Sequence, residues 1–239
     1  MKIEKFLLKI AGKNDFELDS RISTWYILRT CWNYGRMLIR GIVSSIGFEN
    51  ISKSIFVGKR VKLYEKRFMK IGKKTKLHDG VKIDALSTNG VNIGDYCIIG
   101  RNTVIECTGS LSAIGKGVEI GNNTTFGSDC FFGAAGGIKI GNDVVAGQYI
   151  RFHSENHNYD RMDVLIREQG VSHKGIEVGN NCWIGSGVVF LDGAKVGEGC
   201  VVAANTVVTK TFPDNAIVGG IPAKIIKMRV KNEERESIN

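Results

Sequence analysis

The chain has 239 residues, enough for one sizeable domain or one domain with an appendage. Its 30 Gly against 2 Pro exclude a collagen or linker composition and point to turns of positive φ. The net charge of +9 is uneven: residues 1–80 hold 18 Lys/Arg against 7 Asp/Glu, so an acidic partner would meet the N-terminal third unless that surface is simply solvated.

Residues 1–20 are mixed and charged, with weak helical character. A helical pattern follows over residues 22–46, where Trp25, Leu28, Trp32, Ile39, Ile42 and Ile46 keep a 3/4 spacing and form one apolar stripe. Arg29, Arg36 and Arg40 cluster along its edge, and Gly35 weakens the helix slightly. The segment is too interrupted by Arg and Asn to span a bilayer. Two roles stay open: the helix caps the coil described below or packs on a neighbouring subunit, or it lies in a membrane interface with arginines on anionic lipid.

From Val57 onward a six-residue period takes over, regular from Ile71-Gly72 through Leu77, Ile83, Ile93 and Ile99. Residues 85–92 and 107–113 break the count and read as short loops. A second run starts at Ile114-Gly115, continues through Ile120, Phe126 and Phe132, and resumes at Ile140. Residues 153–177 carry no such pattern, and so long a break in a repeat fold is usually functional. The period is clearest over residues 178–208, where Val178, Ile184, Phe190, Val196, Val202 and Val208 each stand six apart. Four places after the first five come the smaller Cys182, Val188, Ala194, Cys200 and Thr206. This period fits neither a helix nor a long strand. It describes a very short strand and a turn, repeated as a solenoid.

Of the six cysteines, Cys97, Cys130, Cys182 and Cys200 take that smaller position, where they serve as buried hydrophobes. With no paired spacing and no secretory leader, reduced thiols and a cytoplasmic chain are expected. After a turn-rich exit through Gly219, Gly220 and Pro222, residues 223–231 suit one short basic helix, and 232–239 are polar and read as frayed. The expected organisation is a helical segment at 1–56, a solenoid at 57–222 and a C-terminal helix and tail at 223–239.

The segments NHNYDR (156–161), VGNNCWIGSGV (178–188), VVAANTVVTK (201–210) and IVGGIPAKIIK (217–227) resemble the hexapeptide-repeat acyltransferases, closest in pattern to the galactoside, maltose and capsule or O-antigen O-acetyltransferase branch. The resemblance covers about residues 71–231. It implies a mainly β fold, a left-handed parallel β-helix, assembled as a homotrimer with active sites between neighbouring subunits. It places the catalytic histidine at His157, whose imidazole would take the proton of an acceptor hydroxyl as that oxygen attacks a thioester. It puts an oxyanion-binding N–H at Ser186. The co-substrate acetyl-CoA would lie along Ser186, Ala204, Thr209 and Lys210, with Lys224 and Lys227 near its phosphates and Trp183 walling the thioester. The family's acceptor-binding asparagine falls on Gly127, so Ser128, Asp129 or Asn156 would serve in its place, with Asp160 a further acceptor contact.

Asp160 and Glu155 flank His157 and either orient its ring or solvate the loop. His153, Glu155 and His157 also alternate as a zinc set would, which is the carbonic anhydrase type of β-helix enzyme; that type lacks the VVTK and GGIPAK segments, and no metal is expected. His78 reads as a structural turn residue. The leading expectation is an acetyl-CoA-dependent O-acetyltransferase acting on a sugar hydroxyl of a surface polysaccharide or its lipid-linked precursor. It would be cytoplasmic or peripheral on the inner face of the plasma membrane, with no nucleic-acid partner. The alternatives are a soluble acceptor (free sugar, nucleotide-amino-sugar or antibiotic), the zinc enzyme, and a non-catalytic scaffold.

Overall fold

The computed structural model describes residues 19, 21–110 and 112–230; most of the 1–20 segment and the polar tail beyond 230 lie outside the described residues. Three parallel strands of two or three residues make each turn of a left-handed β-helix, and stacking the turns gives three flat faces of nine, seven and seven strands. The first coil comprises Phe56–Val57, Lys62–Tyr64 and Met69–Ile71. The fifth comprises Val145–Ala146, Arg151–His153 and Ile176–Val178, and the seventh Val201–Val202, Val207–Val208 and Thr211–Phe212.

The six-residue period becomes the interior. Val178, Ile184, Phe190, Val196, Val202 and Val208 are all buried, as are Cys182, Val188, Ala194, Cys200 and Thr206 at the corners. Each large side chain so buried contributes about 1.5–3 kcal/mol. Phe132, Phe152 and Phe190 stack on consecutive coils with ring centroids 4.7 and 4.9 Å apart. Ala146, in the same coil as Phe152, leaves room for that column. The polar residues between build the corners. Asn123, Asp143 and Asn181 take positive φ on successive coils. Beside them the Asn122, Asn142 and Asn180 side chains each accept the N–H of the preceding coil at 2.7–2.8 Å.

α1 (Thr24–Ser45) starts at the Ser23 cap, whose hydroxyl accepts the Tyr26 N–H. It packs on the first coil, yet not through its apolar stripe. Met37, Gly41 and Ser45 face inward, with Gly41 so close to the Ile55 carbonyl that a Cβ there would sit 2.0 Å from its oxygen. Arg40 Nε donates to the Val57 carbonyl at 2.7 Å, and Tyr34 meets Phe56 edge to face. Trp25, Leu28, Trp32, Ile39, Ile42 and Ile46 are exposed.

Two expectations are corrected. Ile114 does not begin a run of the coil: it is exposed within the excursion between Val104–Glu106 and Val118–Ile120. The C-terminal helix is instead a strand, Lys224–Met228, antiparallel to Ala216–Gly219. Ala216–Gly219, the last parallel strand of the first face, has one edge left over, and the turn through Gly220 and Pro222 folds the β-branched pair Ile225-Ile226 back onto it.

Candidate active site

The long break in the repeat is an excursion from the corner between the second and third faces of the fifth coil, spanning residues 154–175. Its exit is fixed by Ser154, fully buried, which donates to the Gly133 carbonyl at 2.8 Å and accepts the Gly136 N–H at 2.9 Å. Its return is fixed by Asp192. That buried carboxylate accepts the Lys174 and Gly175 N–H groups at 2.8 Å each and the Ser172 hydroxyl at 3.1 Å. Between these anchors, Asn156–His157 pairs antiparallel with Val171–Ser172, His157 opposite Val171. The far end is organised by Asn158 and Gln169: Asn158 Nδ2 donates to the Gln169 carbonyl, and Gln169 Nε2 to the Arg161 and Val164 carbonyls.

His157 stands exposed on this projecting strand pair, and no described side chain hydrogen-bonds its ring. Glu155 does not orient it. Its carboxylate lies 2.6 Å from His173 Nε2 and ties the outgoing arm to the returning one. Asp160 is exposed and has no described partner. Among the described residues no three His, Cys, Asp or Glu groups are arranged to hold a metal ion, so His153, Glu155 and His157 do not converge.

Beside the excursion lies a notch of about 200 Å³ that sequence reasoning missed. Along the outer row of the second face, Asp84, Glu106, Gly133, His153 and Leu191 fall in register, and Gly133 leaves the gap between Glu106 and His153. Phe131 forms its apolar wall, with the His153 ring centroid 5.7 Å from its own. Burial, assisted by the Arg151 charge, holds the His153 pKa below the usual imidazole value. Glu106 already accepts Lys82 Nζ at 2.8 Å. The signal in the sequence was the small residue after Phe131-Phe132, legible only once the rows are in register.

The other expected residues divide between two corners. Ser186 and Ala204 stack on the corner between the first and second faces, and Ser128 and Asp129 lie on the same corner of the fourth coil. Asp129 takes positive φ, and its carboxylate accepts Asn102 Nδ2 at 3.1 Å, so it already serves the turn. Trp183 is 61% exposed on the first face, in register with Val145 and Val201. Lys224 and Lys227 lie exposed on the strand that ends that face. Thr209 and Lys210 belong to the opposite corner, the one from which the His157 excursion leaves, with Lys210 Nζ 5.7 Å above the Phe212 ring. A larger groove follows the third face past Lys70, Glu119, Lys139, Glu177 and Lys195. Glu119 pairs with Lys139 at 4.0 Å and Glu177 with Lys195 at 2.8 Å, and no histidine lines the groove.

The coil, its corner chemistry and the four sequence segments define the class: a left-handed β-helix built from hexapeptide repeats, similar to the hexapeptide-repeat acyltransferases. Residues 175–210 match the bacterial transferase hexapeptide (six repeats), and residues 117–148 match the hexapeptide repeat of succinyl-transferase. Among named relatives, it is 29% identical over 160 residues to a candidate acetyltransferase of Mycobacterium tuberculosis, covering 66% of this chain and 49% of that one. It is 35% identical over 120 residues to a candidate acetyltransferase of Schizosaccharomyces pombe, covering 50% and 56%. The chain thus spans about half the length of these relatives. In fold it resembles AntD, an N-acyltransferase from Bacillus cereus solved with dTDP and coenzyme A, at a TM-score of 0.53 and 16% identity over 82% of this chain and 92% of that one.

Proposed function

We propose that the protein is an acetyl-CoA-dependent O-acetyltransferase acting on a sugar hydroxyl, with His157 as general base. The observation that carries this reading is the division of the candidate groups. His157, Thr209 and Lys210 stand at one corner of the second face, and Ser186 and Ala204 at the other. One copy presents the two halves on opposite edges, and a second copy set beside it with rotational symmetry brings one half against the other. Closed by three-fold rotation, a heterologous contact of this kind would give a trimer with three such sites.

In that site the His157 imidazole takes the proton of the acceptor hydroxyl as the oxygen attacks the thioester carbon, a role that contributes about 10²–10⁴-fold. The Ser186 N–H, which donates to no described residue, is the donor for the negative charge that develops on the carbonyl oxygen. The protonated ring then returns its proton to the departing thiolate. Trp183 and Ala204 would flank the acyl arm, and Lys224 and Lys227 would meet the phosphates as point charges. Ser128 and Asn156 remain the acceptor contacts from sequence, Ser128 reaching the acceptor from the neighbouring copy, with the Gly133 notch at the Asn156 end of the second face for a sugar ring against Phe131. Glu106 and Glu155 both have partners already, which favours a neutral hydroxyl over a free ammonium as the nucleophile. The relatives' acetyltransferase names support an acetyl donor.

The test is release of free CoA from acetyl-CoA in the presence of oligosaccharide acceptors, with wild type and His157→Ala compared. The reading expects sugar-dependent release that falls at least about a hundredfold in the variant. Sugar-dependent release unchanged in the variant would sink the role of His157.

A further inference from the structure

We propose that the outward face of α1 is a docking surface for an anionic lipid bilayer. This goes beyond the transferase reading and stands without it. The helix turns Tyr34, Met37, Gly41 and Ser45 toward the coil, so its apolar stripe is left outside: Trp25 and Trp32 are 74% and 68% exposed, and Leu28, Ile39, Val43 and Ile46 accompany them. At 3.6 residues per turn these six fall within an arc of about 60°. Arg36 and Arg29 occupy the next roughly 40° on one side, bordering the indoles.

Charge selects the occupant. α1 contains no Asp or Glu, and residues 47–76, which include the coil it packs on, hold ten Lys/Arg against two Asp/Glu. A second copy docked through this face would bring two such basic rims together with no acid on either helix to offset them. A layer of lipid phosphates supplies the missing charge, while the hydrocarbon below it accepts the apolar arc. No described helix is long and apolar enough to cross a membrane, so α1 would lie in the interface plane with its tryptophans at headgroup level. The coil that carries the His157 excursion is four rungs from the coil under α1, about 19 Å along the axis. Docking would therefore hold the candidate site within reach of carbohydrate on a lipid carrier.

Co-sedimentation of the full chain with vesicles tests this, using phosphatidylcholine alone and phosphatidylcholine mixed with phosphatidylglycerol. Wild type should sediment with the mixed vesicles and release in high salt. Trp32→Gln with Ile39→Gln should weaken binding about tenfold or more, and Arg29→Gln with Arg36→Gln should remove the preference for the anionic lipid. Both double variants change exposed residues, so melting temperature and assembly mass should stay as in wild type. Wild type left in the supernatant, or a Trp32→Gln/Ile39→Gln variant that sediments like wild type, would overturn the proposal. So would a smaller assembly mass in that variant, which would assign the face to a second copy of the chain.

Discussion

Glu155 Oε2 lies 2.6 Å from His173 Nε2, and this pair joins the two arms of the excursion two residues before the candidate base. Both side chains are about one third exposed, so the pair adds little to global stability. Its effect should be on where His157 points. Glu155→Ala should lower kcat about tenfold while leaving the melting temperature nearly unchanged, and Glu155→Gln should recover part of the loss. Steady-state kinetics beside thermal melts separate the two effects.

Asp192 fixes the return of the same excursion from inside the coil. Removing its carboxylate leaves the Lys174 and Gly175 N–H groups without an acceptor, a cost of about 1–3 kcal/mol. Asp192→Ala should therefore destabilise the protein in urea unfolding and lower activity together. Asp192→Asn, which keeps one acceptor oxygen, should do less of both.

The phenylalanine column under the fifth coil carries the heaviest packing. Phe152 touches Phe132 on one side and Phe190 on the other, and Ala146 cannot fill the space it would vacate. Phe152→Ala should cost about 3–5 kcal/mol, read from chemical denaturation. Phe152→Leu should cost clearly less.

His78 and His153 predict an acid dependence of stability. Burial, with the Arg101 and Lys76 charges, lowers the pKa of His78, and burial with Arg151 lowers that of His153. Below the ordinary imidazole value of about 6.5 the unfolded chain binds these protons before the folded one does. Stability contributed by the neutral rings is thus present above that pH and lost as pH falls toward the folded values. The melting temperature should drop from pH 7 to pH 5, and a His78→Gln/His153→Gln variant should show a flatter profile.

The coil was legible because its period records a local rule: a side chain every sixth residue points inward whatever the neighbours are. Positions 178 to 208 obey it without exception. The bounds of α1 were legible for the same reason, but not which side of it would pack. An apolar stripe marks a helix as two-sided, whereas contact with the coil required Gly41 against the Ile55 carbonyl, a constraint that exists only in three dimensions. The strand Lys224–Met228 was read as a helix because the open edge it covers is created by the finished coil. The partnerships of Glu155 and Asp192 were hidden likewise, since each joins residues 18 apart with at least one end in the segment without periodicity. The notch at Gly133 appears only when coils 20 or more residues apart are placed in register.

The central claim is that His157 of one copy works with the Ser186–Ala204 corner of another. Co-expression of His157→Ala with Ala204→Trp, each inactive alone, tests it most directly. Random mixing in a trimer leaves roughly a quarter of the sites with both native halves, so CoA release should return to about that fraction of wild type. Mixed assemblies as inactive as either parent would place both halves of the site within a single copy and contradict the account.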